Sequence, residues 1–271
     1  GVPSLRTNAL LNALDESPNI EMVGLMTHVV DPAGWSPRTS EQMDDLRRVH
    51  RELKRRGPWR GWVHGFNSAT LFSAPRLVGN TVRIGIAALG VAAAGGAEQR
   101  DLQPVLSFHS QVVMLKDIPP GTSVGYGPDF IARRQTRVAT IPVGYADGVP
   151  FSLAGRGEGL LRGQRAQFIG RISMDYVTLD VTEIEGVQVG DQVTLIGTQG
   201  TQHITLAQMA RGARTIPYEI SCSIGPRVVR LPREGGGLLL PAQAGEASKQ
   251  TFPSVTLPED LPHTGDISLA P

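Results

Sequence analysis

The chain has 271 residues, enough for one large or two ordinary domains, and 40% hydrophobic with 19% charged residues describe a globular protein. A formal charge of +1 with interspersed signs gives no electrostatic reason to expect a nucleic-acid or membrane partner. The single cysteine, Cys222, excludes an internal disulfide framework and fits a reducing cytoplasm, and the longest apolar run (IAALGVAAAGGA, 86–97) is too short to span a bilayer.

The chain opens on Gly1 rather than Met, and its first segment already reads as a helix with Leu10, Leu11 and Leu14 on one face. No opening strand stands ahead of it, so a domain entered in its middle, as a fragment or a processed chain, is expected. Residues 20–30 (IEMVGLMTHVV) follow as an apolar strand-forming run that reaches polar His28 before a Pro-Ala-Gly turn. A helix comes next. Thr39 and Gln42 have capping-box spacing, Met43, Leu46, Val49 and Leu53 form an apolar stripe, and Lys54-Arg55-Arg56 complements the dipole before Gly57.

Residues 61–66 read as a short strand, Asn67-Ser68 as the opening of a short helix, and 81–89 (TVRIGIAAL) as a buried strand. This alternation predicts parallel pairing with helices outside. In such folds function gathers at the C-terminal ends of strands, at or near which His28, Asn67, Ser68, Arg83, Gly85 and Ile86 fall.

From about Leu102 the pattern changes. Residues 105–115, 137–144, 167–172, 176–184 and 192–196 read as short strands between Gly, Pro and Asp turns, which predicts an antiparallel sandwich or barrel. Val177, Leu179 and Val181 alternate with Tyr176, Thr178 and Asp180. Thr205 and Gln208 form a second capping box ahead of Leu206, Met209 and Ala210, and residues 216–230 are expected to close the domain as a strand region. After Pro232 a Gly-rich, then Pro/Ser/Thr-rich tail is expected to be disordered.

Residues 121–148 hold two tyrosines between small residues. Glycines flank Tyr126 on both sides and open backbone conformations closed to other residues. A phenol so placed is either a satisfied surface group or a working acid/base.

His28 in GLMTHVV, Asn67-Ser68 in VHGFNSAT, Arg83 with Gly85-Ile86 in VRIGIAALG, Tyr126 in SVGYG, Tyr145 in GYADG, Met174-Asp175 in GRISMD and Tyr218-Glu219 in TIPYEI together resemble the alanine racemase family. They stand in that family's order. The resemblance implies the C-terminal part of an α/β barrel of the (β/α)8 TIM-like kind over residues 1–98, a mostly antiparallel β-domain over 99–232 and a tail over 233–271. It implies an isomerase that uses pyridoxal 5'-phosphate, no metal, and alanine as substrate. It also implies a cytoplasmic bacterial head-to-tail homodimer whose active sites take residues from both subunits, supplying D-alanine for peptidoglycan.

By the same resemblance Tyr126 is one of two opposed proton carriers, supplied by the partner subunit. His28 and Arg83 lead from it to the cofactor ring, with Arg83 donating to the pyridine nitrogen. Asn67, Ser68, Gly85, Ile86 and Tyr218 belong to the phosphate site. Met174 receives the substrate carboxylate through its backbone N–H, and Tyr145 narrows the entrance.

Each residue also has a structural reading. His28 could be a hydrogen-bonded core histidine, Arg83 a buried ion-pair member, Asn67-Ser68 an ordinary helix cap, Met174 core packing, Asp147-Gly148 a common turn, and Tyr218 a strand aromatic. His50, His64 and His109 offer no reason to be promoted. The family's cofactor lysine has no counterpart among Lys54, Lys116 and Lys249, and by this resemblance it precedes Gly1. A parallel barrel cannot close on half its strands, so the first segment is expected to be poorly ordered or sticky alone. The alternatives are a non-catalytic remnant serving as a dimerisation module, and a related racemase for serine or a broader set of amino acids.

Overall fold

The computed structural model describes residues 1–31, 36–73, 79–91, 102–234 and 237–238. The Pro-Ala-Gly turn, most of the alanine-rich run, Lys249 and nearly all of the tail therefore lie outside the described residues. Four elements open the chain: α1 (Thr7–Asp15), β1 (Gly24–Met26), α2 (Pro37–Arg56) and β2 (Trp62–His64). Strands β1 and β2 pair in parallel, with Met26 opposite His64, and α2 is the crossover between them.

The predicted stripe of α2 is buried: Met43 and Leu46 pack with Val29, Val63 and Phe66, while Val49 and Leu53 pack with Leu11 of α1. Each such side chain contributes about 1.5–3 kcal/mol on burial. Leu10, expected on the same face as Leu11, is exposed.

The start of α2 differs from the capping-box expectation. Ser36 is the N-cap, its hydroxyl accepting from the Thr39 N–H at 3.3 Å, with Pro37 preset at the first helical position. Gln42 is thereby released for another task, described below. Helix α3 (Ser68–Ser73) opens as expected, with Asn67 Oδ1 accepting from the N–H groups of Ala69 and Thr70 at 3.0 and 3.1 Å.

Residues 81–89 form no strand. The Asn80 side chain takes the Val63 N–H at 2.8 Å, and Asn80 and Thr81 both donate to the Val63 carbonyl, so no regular ladder propagates. Ile84 is 52% exposed, and the segment ends as a 3-10 turn, Ile86–Leu89, stopped by Gly90 at φ 70°.

The remaining strands are β3 (Phe108–Gln111), β4 (Met114–Ile118), β5 (Thr136–Ile141), β6 (Glu158–Leu161), β7 (Gln164–Phe168), β8 (Val177–Asp180), β9 (Gln192–Gln199) and β10 (Gln202–Ile204). They form an eight-stranded sheet in the order β10-β9-β6-β7-β8-β5-β4, with β3 also on β9, and every pairing is antiparallel. Only Val112 and Val113 separate β3 from β4, so the chain passes from one end of that order to the other and the sheet curls on itself. The fold is thus a barrel portion followed by an antiparallel β-domain. Inside the curl lie Ala139, Leu161, Phe168, Leu179, Val193 and Leu195, and the same cluster takes in Ala69 and Ile86.

Helix α4 (Leu206–Ala213) carries the predicted capping box, with both reciprocal bonds between Thr205 and Gln208 formed. The strand expected over 216–230 is instead helix α5 (Pro217–Ser223), started by Pro217 at its first position and holding one buried residue, Ile220. Beyond it, β11 (Arg233–Glu234) pairs with β12 (Gly237–Leu238).

The parallel pair stands on a five-residue buried cluster, the β-domain on a far larger one. Hydrogen exchange on the 271-residue chain is expected to show stronger protection in β5, β8 and β9 than in β1 and β2. Equal protection across both regions would refute that ordering.

Candidate active site

Arg83 stands at the C-terminal ends of the parallel strands, and they place two imidazoles on it. Its Nη2 donates to His28 Nδ1 at 2.9 Å and to the Thr27 carbonyl at 3.1 Å. Its Nη1 donates to His64 Nδ1 in a short contact and to the His64 carbonyl at 3.4 Å. Arginine has no acceptor and keeps its proton, so both Nδ1 atoms must offer lone pairs and both rings carry their proton on Nε2. Burial, then the positive guanidinium, pushes the His64 pKa down. His64 is the residue that sequence reasoning passed over. The signal was present in its place at the end of a strand, three residues before a helix cap.

Beside this cluster Ser68 joins α3 to the 3-10 turn. Its Oγ accepts from the N–H groups of Gly85 at 3.0 Å and Ala87 at 3.3 Å. A Cβ built on Gly85 would meet nothing within 4 Å, so open space lies in front of that backbone. With its oxygen taken by those two N–H groups, the Ser68 hydroxyl turns its proton to the open approach as a donor suited to a phosphate, and the adjacent guanidinium is a permanent donor suited to a ring nitrogen. The residues present fit pyridoxal 5'-phosphate.

A second group of residues lies on the β-domain. Gly125 and Gly127 adopt φ 77° and 72°, as their positions around Tyr126 predict, and Tyr126 is 72% exposed. The loop is braced by Arg171, whose guanidinium binds the Asp129 carboxylate at 2.5 and 3.2 Å beneath Gly127.

GYADG and GRISMD pack against each other. Tyr145 N–H donates to the Ser173 carbonyl and Ala146 N–H to the Met174 carbonyl, both at 3.1 Å. A Cβ at Gly144 would lie 2.3 Å from each of those carbonyl oxygens, so only glycine permits the approach. Asp147, 8% exposed, accepts from the Gly144 N–H at 2.9 Å. Arg227 pairs with Asp147 at 3.1 Å and with Asp175 at 2.7 Å, tying the two motifs together. Tyr145 rests edge-on against Phe151 at 6.4 Å between ring centroids. Tyr218, on α5, has its phenol pKa pushed up by burial, which keeps it a donor.

The structure thus joins His28, Arg83 and His64, and separately Ser68, Asn67, Gly85 and the Ile86 turn. Among the described residues no hydrogen bond links Tyr126, Tyr145, Met174 or Tyr218 to either cluster. Lys54 lies in the last turn of α2 and Lys116 in β4. No group of three or more His, Cys, Asp or Glu suited to a metal occurs among the described residues. No helix among them is long and apolar enough to cross a membrane.

Comparison with known proteins gives one family throughout. Family models described as "Alanine racemase, N-terminal domain" and "Alanine racemase, C-terminal domain" match residues 1–93 and 105–232. An alanine racemase of Halothermothrix orenii is 38% identical over 232 residues, covering 85% of this chain and 61% of the relative. One from Geobacter sp. strain M21 is 39% identical over 237 residues, covering 85% and 62%. The chain therefore spans about three fifths of the length of the curated relatives it matches.

The crystal structure of alanine racemase from Bacillus anthracis with bound L-Ala-P superposes with a TM-score of 0.78 at 30% identity, covering 88% of this chain and 62% of that one. The Bartonella henselae enzyme with covalently bound pyridoxal phosphate gives 0.73 at 30% identity, covering 84% and 61%.

Two outcomes are expected from this geometry. Because the His64 pKa is lowered on folding, the unfolded chain binds more protons as pH falls through about 6.5, so stability falls there. Thermal unfolding between pH 7.5 and 5.5 should show a smaller pH dependence in His64→Gln, and an unchanged dependence refutes the assignment. Gly144→Ala should destabilise by about 1–3 kcal/mol through overpacking against two fixed carbonyls, measured by denaturant unfolding.

Proposed function

The chain belongs to the alanine racemase family, and on that premise we propose that it forms part of an enzyme that interconverts L- and D-alanine with pyridoxal 5'-phosphate. The observation that carries the proposal is Arg83, held by two imidazole acceptors beside the Ser68–Gly85 donor set. When bound, the cofactor supplies an electron sink that makes the amino-acid Cα–H acidic.

Every other part falls to the protein. Ser68, kept in place by the Asn67 cap, holds the phosphate with the backbone N–H groups of Gly85 and Ile86 and the Tyr218 hydroxyl. Arg83 offers the ring nitrogen a hydrogen bond and no proton, which moderates the electron demand and restrains side reactions. His28 braces Arg83 through Nδ1 and turns its Nε2–H outward, toward the side from which a proton carrier must come. Met174 N–H receives the substrate carboxylate.

Tyr126 moves a proton at Cα on one face. Racemisation needs a second carrier on the other face, since one group alone returns the same hand; the family resemblance gives that role to a lysine. Tyr126, Met174 and Tyr145 act on the site of a second copy in a homodimer, and Tyr145 leaves room for a methyl side chain. The product supplies D-alanine for the cell wall, in the cytoplasm.

The test uses the complete protein carrying this chain. Incubated with L-alanine in deuterated water, it should form D-alanine with deuterium at Cα. Tyr126→Phe should lower kcat by about 10²–10⁴, the worth of a positioned acid/base. No D-alanine from the parent protein, or an unimpaired Tyr126→Phe, would sink the reading.

A further inference from the structure

Gln42 makes contacts that neither a helix cap nor a solvated face requires. It lies in the second turn of α2, and its side-chain amide reaches the stretch that follows β1. Oε1 accepts from the Val30 N–H at 2.9 Å, while Nε2 donates to Thr27 Oγ1 at 2.8 Å and to the His28 carbonyl at 2.6 Å. One backbone donor and one backbone acceptor fix which end of the amide is which, so the side chain has a single orientation.

Residues 27–30 need such a tether. Strand β1 ends at Met26, and Thr27 N–H, bonded to the His64 carbonyl at 3.1 Å, is the last bond of that edge to β2. The Thr27 carbonyl and the His28 ring are the groups that hold one side of Arg83. Gln42 binds the His28 carbonyl, which fixes the peptide plane after the His28 Cα, and holds the Thr27 hydroxyl, while the Thr27 carbonyl in the plane before it is taken by Arg83. Its own helix is immobilised by the buried neighbours Met43 and Leu46. A rigid helix thus sets the direction in which the His28 ring leaves the backbone.

We propose that Gln42 is a positioning residue for His28, and through it for Arg83. The assignment rests on the racemase reading only for its consequence in turnover. The geometric part stands on the bonds alone. The test has two arms.

In the first, the chain labelled with ¹⁵N-histidine is compared with Gln42→Met, which keeps bulk and loses all three bonds, and with Gln42→Glu. The latter keeps the acceptor but turns a carboxylate oxygen on the His28 carbonyl. In the parent, His28 and His64 should each show the Nε2–H tautomer. In both variants His28 should drift to a tautomer mixture, while His109, bonded to Thr194 and Gln192 in the β-domain, keeps its signals. Unmoved His28 signals in a variant that preserves those of His109 overturn the proposal, and Gln42→Glu carries the test should Gln42→Met not fold.

In the second arm, the complete enzyme should lose about tenfold or more in kcat in either variant, with KM for alanine within about twofold, as for a misaligned catalytic group. An unchanged kcat also overturns it. A protein that racemises nothing yet loses the His28 tautomer refutes the racemase reading and leaves the tether standing. An active racemase with unmoved His28 signals does the reverse.

Discussion

Everything at the barrel end depends on a guanidinium that can only donate. Arg83 is surrounded by four acceptors, two ring nitrogens and two carbonyls, and no carboxylate is among them. A permanent charge held by neutral acceptors keeps its full positive field, and that field dictates the state of its neighbours. A proton on the His64 Nδ1 would set two cations in contact, and that charge adds to burial in lowering the His64 pKa. The arrangement in turn rests on the parallel register of β1 and β2. Met26 stands opposite His64, so the imidazole at the end of β2 and the one just beyond β1 both reach one arginine. A slip of one residue would turn both rings to the other face.

The β-domain solves the opposite problem, a nearly buried carboxylate. Asp147 sits inside a tight turn and is balanced by one backbone N–H and one shared arginine, Arg227, which also reaches Asp175. The arginine is half exposed, so its Coulomb contribution is screened, and its value lies in geometry more than energy. It joins two loops whose backbones already touch where Gly144 has no side chain. Tyr145 and Met174 project from that joint, so their spacing is set by main-chain contacts and not by flexible side chains.

Much of this was legible in the sequence, for reasons that can be named. Helix α2 was legible because its buried stripe, Met43 to Leu53, keeps helical period over about three turns. Asn67 and the Thr205–Gln208 box were legible because capping is local chemistry, and Val177, Leu179 and Val181 because a half-buried strand alternates. Most of the failures share a cause. Asn80 replaces a backbone partner with its side chain and ends a ladder that the apolar run 81–89 seemed to promise. Pro217 starts a two-turn helix too short to show a period. Gln42 stands three residues after Thr39, yet Ser36 takes the cap and Gln42 reaches across to another segment. His64 carries no motif of its own, and its role appears only once Arg83 is folded against it. For Asn80, Gln42 and His64 a side chain makes a tertiary bond that no local pattern encodes.

The two groups of candidate residues differ in one further respect, and it bears on why Tyr126 is built as it is. Around Arg83 both terminal guanidinium nitrogens meet acceptors in the same chain. Around Tyr126 the chain does the reverse. Two left-handed glycines and the Arg171–Asp129 pair fix the loop, and the phenol they hold is exposed, without a hydrogen-bond partner among the described residues. Ordering a loop costs entropy, and ordering it to present a lone hydroxyl to water gains nothing within the chain. Such a loop makes physical sense as one half of a contact completed from outside. His28, exposed and held through Nδ1 alone, has the complementary character. In the proposed homodimer these two would face each other, each pre-positioned by its own subunit, so that association need only bring together groups that are already in place.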